Sequence, residues 1–379
     1  MAGSAADADA DADAGASARP LRVALLGYGL AGRVFHAPLL RATPGVDLAY
    51  VVTSDPGRAA EAAALPGVAV LADADEVWAR ADELDLVVVG TANVAHVPQA
   101  RAALEAGLSV VVDKPLAATS AQAQALVDLA AVSPGQLHVF QNRRWDSDAL
   151  TVRRLAREGA LGRVHRFESR FERWRPDIVG TWRDSGRPEE VPGLLYDLGA
   201  HLVDQALLLL GPVESVYASV RSVRGDGTGP DDDTQVVLRH TSGAVSMLWA
   251  SAVSAFTTPR LRVLGADGGY EVDALDSQED VLRRLVADGG QLPGDDWGVE
   301  AEQAWGRLVG RDGSVAVVPS ERGAWTSYYP GVVAAVRDGG PPPVDPRDVV
   351  ADLRVIEAAA ESGRSGAAVV LDPPAAHSD

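Results

Sequence analysis

The chain has 379 residues, 47% of them hydrophobic, and carries 34 basic against 53 acidic side chains for a formal charge of −19. That acidity repels nucleic acids and anionic membrane surfaces, so a small-molecule substrate is expected. The absence of cysteine excludes disulfides, thiolate catalysis and Cys-ligated zinc and suits a reducing cytoplasm, while the longest apolar runs, such as ALLLL at 206–210, fall far short of the ~20 residues of a membrane helix.

A chain of this length predicts two domains. Residues 1–19 alternate Ala and Asp with nothing to bury and read as a disordered tail. No basic segment followed by an apolar one opens the chain, so no secretory signal is expected. LRVALL at 21–26 is a continuous apolar run suited to a strand buried on both faces, and GYGLAG follows at 27–32. Its Gly27, Gly29 and Gly32 form Gly-x-Gly-x-x-Gly between a strand and a helix, the pattern that lets backbone and a helix start approach a pyrophosphate. LAYVVTS (48–54), VAVLA (68–72), LDLVVVG (84–90), LSVVVD (108–113) and LHVFQ (137–141) continue the alternation with Ala-rich helical stretches. The prediction is an α/β fold: a doubly wound parallel Rossmann sheet over 20–142.

The tip of the second strand faces the adenine ribose in such folds, and an acidic residue there favours NAD while hydroxyls and arginine favour NADP. Thr53, Ser54 and Arg58 point to NADP(H); Asp55 points to NAD(H), which stays the alternative. No metal is expected. At the end of the fifth strand stands Lys114, the only lysine in the chain. Arginine fills every other such cationic position, and what lysine adds is a compact ammonium able to give up its proton. Pro115 fixes the backbone after it.

GLLYDLGAHLVDQALLLLG at 193–211 reads as one helix stopped by Gly211 and Pro212, with Leu195, Leu198, Leu202 and Leu209 toward a core. Asp197 and His201, four apart, share a face, and a carboxylate beside an imidazole suits acid/base chemistry near neutrality. The same spacing also fits a plain surface pair, and Asp204 competes as the functional carboxylate.

GYGLAG, TANVAH (91–96), VVDKP (111–115), QNRRWD (141–146) and LLYDLGAH (194–201) together resemble the Gfo/Idh/MocA oxidoreductases, closest to the branch with NADP-dependent scyllo-inositol dehydrogenases. The resemblance implies that Lys114, Asp197 and His201 are the catalytic group. It implies cofactor contacts from Gly27, Tyr28, Gly29, Leu30, Gly32, Thr53, Ser54, Arg58, Thr91, Asn93, His96, Asp113 and Lys114, and substrate contacts from Asn142, Arg143, Trp182 and Tyr196. Asp113 departs from the family's usual Glu, and Ala92 from its usual Pro. Residues 143–368 are expected to form an α+β substrate-binding and oligomerisation domain on an open, mostly antiparallel sheet, with 369–379 a tail. VHRFESRFER, VESVYASVRS, DTQVVLRH, AVSMLWASAVS and PRLRVLG supply its strands, and Met247 and Trp249 a face for a homodimer or homotetramer. The activity implied is hydride transfer between NAD(P) and a secondary alcohol or ketone of a polyol, inositol or sugar. An NAD-dependent glycoside hydrolase and a non-catalytic dinucleotide or sugar sensor are the alternatives on this fold.

Overall fold

The computed structural model describes residues 19–178, 190–256, 258–290, 292 and 294–372. The first sheet is made of β1 (Leu21–Leu26), β2 (Val46–Val52), β3 (Ala69–Leu71), β4 (Leu86–Val89), β5 (Ser109–Asp113) and β6 (Leu137–Phe140). All pair in parallel, in the order β3-β2-β1-β4-β5-β6. Val23, Leu25, Val87, Val88, Val110 and Val111 are wholly buried, as their apolar runs predict for strands covered on both faces. The covering helices are α1 (Ala37–Ala42), α2 (Pro56–Ala63), α3 (Asp75–Trp78), α4 (Asn93–Glu105) and α5 (Ser120–Ala130). Because the strands are parallel, the residues just past β1, β2, β4, β5 and β6 line a single edge. The order reverses between β1 and β4, where such sheets open a ligand crevice.

The second sheet holds β7 (Val164–Glu172), β8 (Val213–Arg221), β9 (Asp233–His240), β10 (Val245–Ser251), β11 (Leu261–Gly265), β12 (Gly268–Val272), β13 (Gly306–Gly310), β14 (Val315–Val318) and β15 (Val369–Val370). Its order is β14-β13-β12-β11-β7-β10-β9-β8-β15, antiparallel except for β7 beside β10. With it come α6 (Ser147–Arg157), α7 (Leu194–Asp197), α8 (Gly199–Leu210), α9 (Gln278–Asp288), α10 (Tyr328–Asp338) and α11 (Pro346–Ser365). Alternation sends Val236, Leu238, Leu248 and Ala250 inward, each at most 3% exposed, and turns Met247 and Trp249 to the half-buried outer face. The 20-residue α11 bridges the two sheets. It packs on β8 and on α5, and its Glu357 accepts hydrogen bonds from the Ser120 amide (2.9 Å) and hydroxyl (2.6 Å) at the start of α5.

Three details depart from the sequence reading. Val369 and Val370, assigned to a tail, extend the sheet by pairing with β8. Arg19, assigned to the other tail, is held by Asp85 at 2.7 Å; residues 1–18 lie outside the described residues. The single helix expected over 193–211 is two, because Leu198 at φ −102° and ψ −33° interrupts it between α7 and α8. Leu195 and Leu202 are buried, and Leu198 and Leu209 pack partly buried against the core.

His138 in β6 has neither ring nitrogen hydrogen-bonded, and burial pushes its imidazole down to about 4. A ring that folds neutral but would protonate near 6.5 when unfolded makes unfolding take up a proton. Its contribution is therefore complete above about pH 6.5 and lost as pH falls toward 4. His138→Leu is expected to lose roughly 2–3 kcal/mol less stability than the parent between about pH 7.5 and 4.5. Urea melts at the two pH values check this; equal losses contradict it.

Candidate active site

The loop after β1 is shaped to take a dinucleotide. Gly27 adopts φ +89°, and a Cβ there would lie 2.7 Å from Gly90 O, so the turn admits only glycine. A Cβ at Gly32 would sit 2.0 Å from Gly27 O, which is how the following helical turn, Ala31–His36, comes against the strand end. Above Gly29 there is open space, its nearest neighbour being Arg58 Nη1 at 3.8 Å from the position of a Cβ. The Arg58 guanidinium therefore stands close beside the backbone of the glycine loop. Tyr28 is buried at 5% exposure and Leu30 is exposed at 37%.

Past β2, Thr53 is half-buried and Ser54 exposed. Asp55 accepts from the Arg58 amide at 2.8 Å and caps α2, so one carboxylate oxygen is already spent. Among the described residues no carboxylate pairs with the Arg58 guanidinium. Three further expected cofactor contacts have protein partners. The Thr91 hydroxyl donates to Gln99 Oε1 (2.8 Å), Asn93 Nδ2 donates to Glu190 O (2.9 Å), and the His96 ring lies between Pro115 O (2.8 Å) and Thr91 O (3.2 Å). They build the loop that follows β4, and burial lowers the pKa of His96.

Lys114 and Asp197 meet across the two sheets. Nζ donates to Asp197 Oδ1 at 2.7 Å and to Asp197 O at 2.6 Å, with side-chain exposures of 16% and 10%. An ammonium has three N–H groups, so one remains. The break at Leu198 ends α7 at Asp197 and puts His201 in the first turn of α8. His201 Nδ1 lies 2.8 Å from Gln141 Oε1, and Gln141 Nε2 donates to Ala200 O at 3.5 Å. With the amide oriented that way, His201 carries its proton on Nδ1 and presents the Nε2 lone pair. Burial, then the positive charges of Lys114 and Arg143, push the ring well below the usual imidazole range, so it stays neutral. Asp113 Oδ1 accepts from the Lys114 amide at 2.8 Å. Burial opposes its charge, yet His36 and Lys114 hold its carboxyl below the usual range.

The expected substrate contacts divide. Asn142 and Arg143 are buried beside the site in the turn Asn142–Trp145. Arg143 pairs with Glu279 (2.6 Å) and Asp146 (3.2 Å) and lies over Phe171, 4.9 Å from the ring centre. Tyr196 is half-buried, with the α11 charges Glu357 and Arg364 among its electrostatic neighbours. Trp182 lies outside the described residues. Asp204 is engaged by Arg144, with contacts of 2.6 to 3.0 Å, and is a structural carboxylate rather than a partner of His201. Gln141, His36 and Tyr329, which contact His201, Asp113 and each other, were not among the expected site residues; the signal for Gln141 was a polar side chain directly after the buried strand β6.

A dinucleotide cradle at the switch point of a parallel sheet, closed over by a lysine, a carboxylate and a histidine, defines an α/β oxidoreductase with a second sheet. Residues 21–141 match the model "Oxidoreductase family, NAD-binding Rossmann fold" and residues 149–271 the "GFO/IDH/MocA C-terminal domain". YdgJ of Escherichia coli is 36% identical over 93% of this chain and 99% of its own. The scyllo-inositol 2-dehydrogenase (NADP(+)) IolW of Bacillus subtilis is 31% identical over 93% of this chain and 96% of its own. The solved structure of yvaA from Bacillus subtilis superposes with a TM-score of 0.87 at 30% identity, covering 93% of this chain and 99% of that one. The chain belongs to the Gfo/Idh/MocA family and is an NAD(P)-binding oxidoreductase. Among the described residues no helix is long and apolar enough to cross a membrane, and no cluster of side chains could hold a metal ion.

Proposed function

We propose that the chain is an NADP-preferring dehydrogenase that exchanges a hydride with a secondary alcohol or ketone of a polyol, inositol or sugar. The observation that carries the reading is the pairing of a spare ammonium N–H on Lys114 with a neutral, Nε2-basic His201. Oxidation of a carbinol requires a base for the hydroxyl proton and a stabiliser for the oxygen as it gains charge. His201 Nε2 takes the proton, and Gln141 keeps the ring in the tautomer that can. Lys114 gives its free N–H to the reacting oxygen, and Asp197 holds the ammonium in place. When bound, the dinucleotide supplies the hydride acceptor or donor. Asn142 and Arg143 line the substrate side, Arg143 too firmly paired to shift far. Met247 and Trp249, the latter stacked by Arg170 at 4.0 Å, together with the exposed Val309, Val315 and Val317, offer the outer sheet face for a homodimer or homotetramer.

Cofactor preference rests on Arg58 beside the open space at Gly29, with Asp55 occupied as a helix cap. Arg58→Ala is expected to weaken NADP(H) by about tenfold or more, since a charge-assisted contact to phosphate is worth roughly 1.5–3 kcal/mol, while leaving NAD(H) within about twofold. Fluorescence titration of both reduced cofactors checks this, and equal losses contradict it.

A further inference from the structure

Behind Lys114 lies a buried polar chain that the proposed chemistry does not use directly. His36, wholly buried, closes the helical turn after the glycine loop. Its Nδ1 is 2.7 Å from the hydroxyl of Tyr329 in α10, and its Nε2 faces Asp113 Oδ2 at 3.8 Å. Asp113 in turn accepts the backbone N–H of Lys114 through Oδ1 at 2.8 Å. The ring is fixed in place: Phe140 lies against it with centres 4.5 Å apart, and a Cβ on Gly90 would come within 3.1 Å of its Cδ2.

The direction of the chain follows from the donors. Burial raises the pKa of Tyr329 far above the ordinary phenol value, so its hydroxyl keeps a hydrogen to donate. A lone pair on Nε2 would face the Asp113 carboxylate, an unfavourable encounter of like partial charges, so a ring hydrogen belongs on Nε2. In the tautomer with its hydrogen on Nε2 toward Asp113, Nδ1 accepts the Tyr329 O–H. The 3.8 Å gap exceeds a direct hydrogen bond, and Nε2 has no other partner. The excess over a hydrogen bond, about 1 Å, is close to the reach that one more methylene at residue 113 would supply.

We propose that His36, oriented by Tyr329, is a positioning residue for Lys114, acting through Asp113. This rests on Lys114 serving the reacting oxygen, as above. It ties a helix of the second half of the chain to the one lysine, so that packing of α10 against the first sheet sets where the ammonium stands.

Tyr329→Phe and Tyr328→Phe make the test. Tyr328 is the adjacent phenol of α10, equally buried, and its hydroxyl has no hydrogen-bond partner. Each variant removes one oxygen from one helix. Tyr329→Phe is expected to lower kcat about tenfold, because a misplacement of under an ångström at a reacting group costs on that order, with KM and cofactor Kd within about twofold. Tyr328→Phe should leave kcat unchanged. In the dinucleotide-free protein, side-chain ¹⁵N spectra of labelled histidine should report His36 with its hydrogen on Nε2 in the parent and in Tyr328→Phe, and a shift toward Nδ1–H in Tyr329→Phe. Equal kcat in the two variants, or a parent His36 protonated on Nδ1, overturns the inference even if Tyr329→Phe does not fold. Failure of the underlying reading is separate: it appears as unimpaired turnover in Lys114→Arg.

Discussion

Lys114→Arg is expected to lower kcat by about a hundredfold or more while dinucleotide affinity stays within about threefold, the loss typical of removing a preorganised donor to a developing oxyanion. The geometry says why a second cation cannot substitute. Two of the three ammonium N–H groups go to Asp197, one to its carboxylate and one to its own carbonyl, which leaves the third at a single point in the cleft. A guanidinium facing the same carboxylate pairs with it in a planar fork. Its remaining donors then lie in that plane, further from the backbone, and it stays protonated at any working pH. Steady-state kinetics with a titrated dinucleotide Kd as the folding control make the measurement. Near-normal turnover would reduce Lys114 to a plain positive charge.

The second large effect concerns His201. His201→Asn is expected to lower the rate of alcohol oxidation by about 10² to 10⁴, the range for loss of a positioned base, and to abolish the acid limb of the pH profile. The sign follows from the environment. Burial and the neighbouring charges of Lys114 and Arg143 depress the imidazole, so the basic form is present above that lowered value and is lost as pH falls through it. Oxidation by the parent should accordingly hold constant from pH 7 down past the ordinary imidazole range near 6.5 and fall only in more acidic solution. A variant that keeps both its rate and its acid limb contradicts the assignment.

What the sequence discloses by itself is what depends on neighbours along the chain. The apolar run ending at Leu26, the glycines at 27, 29 and 32 and the repeating strands each carry their reason locally, and the parallel arrangement then lines up their ends. Lys114 was legible for the same reason, since a strand end in such a sheet is a crevice position wherever the other strands lie. The break at Leu198 was not, because Leu195 and Leu202 keep an apolar period that a continuous helix would share. Asp204 looked as functional as Asp197 until Arg144 appeared beside it, a partner 60 positions away. Tyr196 likewise has charges of α11 as electrostatic neighbours, far from it in the sequence. Tyr329 lies 293 positions from His36, and no spacing rule joins them.

Asp113 illustrates both sides. The resemblance marks it as one methylene shorter than the family's usual residue; in the structure its carboxylate stands 3.8 Å from His36. Asp55 is similar. By type it argued for NAD, and its cap to the Arg58 amide is a local hydrogen bond that competes with any role toward a ribose.

The central claim is that the protein moves a hydride between a bound nicotinamide and a carbinol carbon, with Lys114 and His201 handling the oxygen and its proton. The most direct measurement is nicotinamide absorbance during incubation with a panel of inositols, polyols and aldoses, each with NADP⁺ and with NAD⁺, alongside product analysis. The expected result is net formation of reduced nicotinamide with at least one panel member, faster with NADP⁺, matched mole for mole by a ketone or lactone and slowed about a hundredfold or more in His201→Asn. Glycoside cleavage with no net change in absorbance, or dinucleotide binding without turnover across the panel, would contradict it.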